Sequence, residues 1–468
     1  MPMQLIDANS GDGASTETTR IVTSRLFDPY TLEFLEDRLI TVHTASGVIL
    51  RVSRVSKDFQ ASTHDIDLRG LTVLPGFVDS HVHFFLHPYS ETSWDDQVLK
   101  ENLVERTVRA VNHARETLLA GYTAVRDLGT EGAEDADTPL RACISKPKNL
   151  TVGPRYFIAN RAIVSTGGYG PKGNINLNRQ GVDDRLGAEA ADGIEECRKA
   201  VRRQIGAGAD WIKIYAEYRT KTRNLTSEES LDSYPLFSRE ELKVMIDTAH
   251  SGGVRVAAHV VNEESIITLA DLGIDTIEHG QLISDRGLAV LNRTKTIWTP
   301  TLMAFESHPN GSIAREPAKR AFQAALESAV RGDIRISVGG DTGVFSHGKN
   351  ADEMKVMVRY GAPWKHVLRW ATLGGWEAVR PMRWEGSRGS ELLQARDVMS
   401  DEEVVAAAET TSDNSIPFGV IRRGWAADII ALEGDLEKDF AAAVSPDSVR
   451  FVMKAGVVYK QDGRPTFF

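Results

Sequence analysis

The stretch Leu74–Phe85, LPGFVDSHVHFF, runs through apolar residues into two histidines one residue apart, His81 and His83. Alternate residues of a strand share a face, so both imidazoles leave this strand in one direction. Polar rings in a buried strand need partners, because burying them unpaired costs free energy. The pattern downstream supplies them.

After this stretch, short apolar strands alternate with amphipathic helices. The strands read YTAVRDLG, RYFIANRAIV, WIKIYAE, VRVAAHVV, DTIEHG, TIWTPTL and RISVGGDTG. A helix is expected over about 99–119, another near Thr138, and others at GIEECRKAVRRQIGAG, SREELKVMIDTAHSGG, NEESIITLADLG, SDRGLAVLNRT, AKRAFQAALESAVRG and ADEMKVMVRYG. Eight strand–helix units in series imply a parallel sheet with right-handed crossovers, and eight units fit a (β/α)8 TIM barrel. The barrel is assigned to residues 75–415. Residues 1–74 and 416–468 read as short antiparallel strands, and 383–416, charged and polar, as a surface insertion.

In such a barrel the active site lies at the C-terminal ends of the strands. His81 and His83 end the first strand, His259 the fifth, His279 the sixth and Asp341 the eighth, while Lys213 sits within the fourth. An ammonium in an apolar strand needs a chemical reason, since burying an unpaired charge is expensive. Imidazoles plus a carboxylate, without thiolate, suit Zn²⁺. Lys213 explains itself if CO₂ carboxylates its amine, because the carbamate is anionic and can bridge two metals. Asp341 would then act as general acid and base. Tyr215, Tyr218 and Arg219 follow the fourth strand, Tyr169 follows the third, and His347 lies after the eighth; these are the candidates for substrate contact, with Arg219 suited to a carboxylate. His87 is a weaker candidate. GVFSHGKN imitates a phosphate loop but has Asn350 where that loop needs Ser or Thr.

The motifs LPGFVDSHVH, GYTAVRDLG, GPRYFIANRAI, GADWIKIYA, GIDTIEHG and GGDTGVFSHG, together with both chain ends, resemble the amidohydrolase superfamily in its imidazolonepropionase-like branch. That branch contains metal-dependent Xaa-Pro and Xaa-Arg/Lys dipeptidases and an ochratoxin-hydrolysing fungal amidase. The resemblance implies a barrel with a small β-sandwich built from both chain ends. It implies that His81, His83 and Asp341 bind one Zn²⁺ and that His259 and His279 bind a second, with carboxylated Lys213 between them. Hydrolysis of an amide in a dipeptide, an N-acyl amino acid or a cyclic amide is the expected activity. A decarboxylase, dehydratase or cyclase on the same metal site is the alternative, motivated by the loop YAEYRTKTRN.

The 468 residues are 41% hydrophobic and 26% charged, with a net charge of −10 and no basic block, so a nucleic-acid partner is not expected. Cys143 and Cys197 are too few for a disulfide framework. No leader or membrane-spanning run is read, so a cytoplasmic enzyme of a small molecule is expected, and the relatives suggest a homo-oligomer.

Overall fold

The computed structural model describes residues 17–145, 148–169, 187–218, 233–308, 313–411 and 413–467. Two compact units emerge: Met1–Val78 with Thr117–Ala124 and Trp364–Phe468, and Asp79–Glu116 with Val125–Pro363. The change of unit at Pro363 falls before the 383–416 segment. That segment carries the helices Gly386–Val398 and Asp401–Glu409.

In the first unit, strands from both chain ends form one nine-stranded sheet. Thr18–Asp28 pairs antiparallel with Glu33–His43, which pairs with Val48–Arg54. On the other side, Thr72–Pro75 joins the N-terminal strands to Ile429–Leu432, which continues to Val449–Lys454. Ile21, Ile40, Ile49, Val73, Ile429 and Phe451 meet in one buried cluster. Each such side chain contributes about 1.5–3 kcal/mol when fully buried.

The second unit contains the strand–helix series. Trp211–Tyr215, Arg255–Asn262, Thr276–Leu282, Ile297–Thr299 and Arg335–Ile336 pair in parallel, each with the next. All five residues of Trp211–Tyr215 are buried, as expected of a parallel strand covered on both faces. Phe77–Val82, Tyr122–Asp127 and Arg155–Ile158 form a separate three-stranded sheet. Backbone bonds also link the series elsewhere: Asp210 N–H donates to Ile158 O at 2.8 Å, and Ser80 N–H to Val338 O at 2.9 Å. The helices follow from their sequences. Arg239–Ser251 starts at a reciprocal Ser238–Glu241 capping box and buries Leu242, Met245, Ile246 and Ala249 along one stripe.

Two expected elements are broken at identifiable residues, and a third is short. The 99–119 helix is two, Trp94–Lys100 and Leu103–Leu119, because Glu101 is extended and the Asn102 side chain accepts from Glu105 N–H at 3.0 Å to start a new helix. RYFIANRAIV divides into Arg155–Ile158 and Ile163–Val164 around Asn160, at φ +55. The eighth strand is short, Arg335–Ile336, and Gly339 beyond it lies close against Ser80 and His81. A Cβ there would sit 2.8 Å from Ser80 Oγ and 2.9 Å from His81 N. Among the described residues no helix is long and apolar enough to cross a membrane.

Gly47 marks a closer approach within the first unit. At φ +67, its Cβ would lie 2.0 Å from the Ala455 carbonyl oxygen, whereas Gly70 at φ +90 faces open space. Gly47→Ala is expected to cost about 2–3 kcal/mol and Gly70→Ala about 1–2 kcal/mol, the latter for backbone strain alone. Urea midpoints of the two variants check this; equal losses would remove the close-approach argument.

Candidate active site

His81 and His83 stand side by side at the end of the strand Phe77–Val82, with ring centroids 5.3 Å apart. Each Nδ1 is engaged on the side away from the cluster, by Glu278 Oε2 at 2.9 Å and by Gly129 O at 2.7 Å. Their Nε2 atoms lie 3.5 and 3.2 Å from Asp341 Oδ1. The backbone makes this registry: Asp341 N–H donates to His81 O at 2.9 Å and His83 N–H to Thr342 O at 2.8 Å. Asp79 fastens it below. Its carboxylate accepts from Asn350 Nδ2 at 2.8 Å, His81 N–H at 3.1 Å, Thr342 Oγ1 at 3.2 Å and Gly340 N–H at 3.3 Å. Asn350 thus has a structural bond where a phosphate loop would need a hydroxyl.

His279 and His259 complete a chain of rings, His279 being 5.1 Å from His81 and 4.5 Å from His259 between centroids. Thr301 Oγ1 lies 2.7 Å from His279 Nδ1. Lys213 is buried in the strand paired with that of His259. Burial pushes its amine down to about 8, with Arg126 adding to that, although Glu278 and Asp341 draw it back up. An amine so placed has a neutral, nucleophilic fraction near neutral pH. Burial opposes the charge on Asp341, but His81 and His83 outweigh it and hold the carboxyl well below the usual range. Burial lowers His81 and His279, to about 4 and about 3, whereas Asp341 raises His83 to about 9 against its burial.

The donor set fits a metal. His81, His279 and Asp341 offer ligand atoms within 4.8 Å of one another, and His83 shares the Asp341 oxygen. Imidazoles whose Nδ1 is bound outward present Nε2 inward, the arrangement seen around metal ligands. The donor atoms are imidazole nitrogens and a carboxylate oxygen with no thiolate, a set that suits Zn²⁺ and similar ions.

A charged layer supports these residues. Glu278 also accepts from Arg126 Nη2 at 2.7 Å, and both side chains are fully buried. Arg126 in turn binds Ser80 O at 2.7 Å and stacks over Trp211, 4.4 Å from its ring centre. Sequence reasoning missed both residues. The signal was available: charges in YTAVRDLG and DTIEHG stand in apolar strands as Lys213 does, and a buried charge demands an opposite one.

Of the expected substrate-contact residues, the structure brings three together. The Tyr215 ring stacks on Tyr169 at 4.3 Å, Tyr218 packs edge-on to both, and Tyr215 lies 4.9 Å from His259. Arg219 lies outside the described residues. His347 adjoins the backbone of His83. It is buried, stacks on His113 at 4.1 Å, and its Nε2 lies 3.0 Å from Leu86 O. His87 is likewise occupied, 2.7 Å from Glu101 Oε1. Glu131 was not foreseen, and its carboxylate sits at the hydroxyl end of the tyrosine cluster.

Comparison with known proteins agrees with this geometry. Ochratoxinase of Aspergillus niger is 26% identical over 428 residues, covering 86% of this chain and 78% of that protein. An uncharacterized protein of Mycobacterium tuberculosis is 27% identical over 344 residues, covering 70% of this chain and 78% of its own. Among solved structures, a Xaa-Pro dipeptidase with methionine in its active site superposes with a TM-score of 0.71 at 26% identity, covering 95% of this chain and 100% of that one. The A. niger ochratoxinase structure gives 0.71 at 22% identity, covering 97% and 99%. The amidohydrolase family profile matches residues 72–380, more than half of the chain and every one of the clustered residues. The chain belongs to the amidohydrolase family and is a hydrolase of C–N bonds.

Proposed function

We infer that the protein is a metal-dependent amide hydrolase of small molecules, acting on a dipeptide, an N-acyl amino acid or a cyclic amide. The observation that carries the reading is the set of inward Nε2 atoms facing one carboxylate, each ring fixed by a separate outward partner. The scaffold follows. The bonds from Ile158 to Asp210 and from Ser80 to Val338 support a closed (β/α)8 barrel. The core shared by Ile49 and Phe451, from distant strands of the nine-stranded sheet, supports a sandwich at the chain ends.

His81, His83 and Asp341 would hold one Zn²⁺, His259 and His279 a second, with Lys213 as a carbamate between them. Bound there, the metal would acidify a water and polarise the amide carbonyl. Asp341, beside that position and 16% exposed through its side chain, takes the proton of the attacking water and delivers it to the departing nitrogen. Glu278 and Thr301 hold the imidazole tautomers, and Arg126 keeps Glu278 anionic. Tyr215 and Tyr218 wall the site beside His259, and Arg219 would pair with a substrate carboxylate. No observation among the described residues favours the lyase alternative, since most of the loop that suggested it falls outside them.

Asp341→Asn is expected to keep its melting temperature within a few degrees and to lose about 10²–10⁴-fold in turnover, the usual worth of a positioned acid–base. Mass spectrometry of a dipeptide and N-acyl amino acid panel reads it, with wild type yielding products that gain one water. Near-wild-type rates would remove Asp341 from the proton transfer. Lys213→Ala is expected to purify with less than half the wild-type metal by elemental analysis and to recover metal when propionate is supplied. Full occupancy without propionate would contradict the bridging role.

A further inference from the structure

Thr301 precedes the helix Leu302–Ser307, a position where a threonine hydroxyl ordinarily accepts from one of the first helical amides. Here it makes no such bond. Thr301 stands at φ +50, fully buried, and its Oγ1 lies instead 2.7 Å from His279 Nδ1. This leaves two requirements at one turn. The left-handed conformation is unfavourable for a β-branched residue and must be held from outside. The first amides of the helix need acceptors that Thr301 does not supply.

Glu353 meets both requirements. It is fully buried on the helix Ala351–Arg359, and its carboxylate accepts from Leu302 N–H at 2.9 Å through Oε1 and from Met303 N–H at 2.6 Å through Oε2. One side chain thus fixes the two amides that directly follow Thr301. Burial pushes its carboxyl up to about 8, although both amides favour the anion. A buried carboxyl is a costly way merely to cap a helix of six residues, and the placement of Thr301 gives it a further purpose.

The same helix start also reaches the other side of the cluster. Asn350 Nδ2 donates to Asp79 Oδ2 at 2.8 Å and to Thr342 Oγ1 at 3.2 Å, and Asp79 accepts from His81 N–H at 3.1 Å. The turn from Asn350 to Glu353 therefore touches the supports of His81 and Asp341 through one residue and the support of His279 through the other.

We propose that Glu353 is a positioning residue for His279: by holding residues 301–303 it aims the Thr301 hydroxyl at the imidazole and, together with Asn350, sets the spacing between His279 and the pair His81 and Asp341. The proposal rests on the metal-site reading above, while the coupling through Thr301 is measured by metal binding without turnover.

The test is titration of the metal-free full chain with Co²⁺, followed by visible absorption, which reports the geometry of the ligands. Glu353→Gln keeps one acceptor oxygen and replaces the other by a donor. It is expected to bind Co²⁺ about 10–100-fold more weakly than wild type and with altered bands, the usual effect of losing a group that orients a ligand. Thr301→Val, which keeps the shape and removes the hydroxyl, should do the same. Because the two residues act in series, the double variant should bind within about threefold of Thr301→Val alone. An unchanged affinity and spectrum in folded Glu353→Gln would overturn the proposal. So would losses that multiply in the double variant, as two separate structural defects would give. If Glu353→Gln does not fold, Thr301→Gly is added to it, since glycine adopts φ +50 freely. Restored folding is then expected, and a chain that stays unfolded would overturn the proposal. Coupled cobalt binding without hydrolysis of any amide would sink the hydrolase reading and leave Glu353 in its role; hydrolysis with losses that multiply would do the reverse. No cobalt binding by wild type would overturn both.

Discussion

Everything in the second unit is arranged around one short contact, the Asp341 carboxylate against the Nε2 atoms of His81 and His83. Two imidazoles and a carboxylate converge there, and a backbone exchange between residues 81–83 and 341–342 fixes the approach. Close registry requires that no side chain intrude between the segments, which explains Gly339. It also requires that the rings cannot rotate. Glu278 and the Gly129 carbonyl prevent rotation by holding Nδ1. Glu278 is in turn a fully buried anion, tolerable because Arg126 pairs with it; removing one partner of such a pair costs about 3–5 kcal/mol. Preorganisation of the site therefore depends on a charge pair at the next layer.

The same region stores backbone strain. His279 is at φ +72, Asp341 at +59, Thr301 at +50 and Glu131 at +51. Non-glycine residues in this region cost of order 1–3 kcal/mol each, and Thr301, β-branched, is the least suited of the four. Three of them carry side chains that face the site region: Asp341 the histidines, Thr301 His279 Nδ1, and Glu131 the tyrosines. The surrounding parallel strands and their packed helices supply the stability that this strain consumes.

The strand–helix order and the clustered residues His81, His83, Lys213, His259, His279 and Asp341 were legible because a polar residue at the end of an apolar strand is conspicuous. The period of the pattern did the rest. Less was legible where local chemistry overrides the pattern. Asn102 capping a second helix and Asn160 turning the third strand are single-residue events with no periodic signature. Glu278 and Arg126 were overlooked because their meaning lies in their pairing across separate strands, although each is as anomalous in its strand as Lys213. His347, singled out by its position after the eighth strand, packs its ring against His113 and Phe84. Glu131 had no signal, since an acidic residue in a turn is ordinary until tyrosines surround it.

The most direct test of the central claim is anomalous diffraction, at the zinc absorption edge, from crystals of the full chain grown with Zn²⁺ and bicarbonate. The account places an anomalous peak within ligand distance of His81, His83 and Asp341, a second near His259 and His279, and electron density extending beyond Lys213 Nζ between them. Zinc bound elsewhere with the histidine cluster empty, or a Lys213 side chain ending at Nζ between two bound ions, would contradict it.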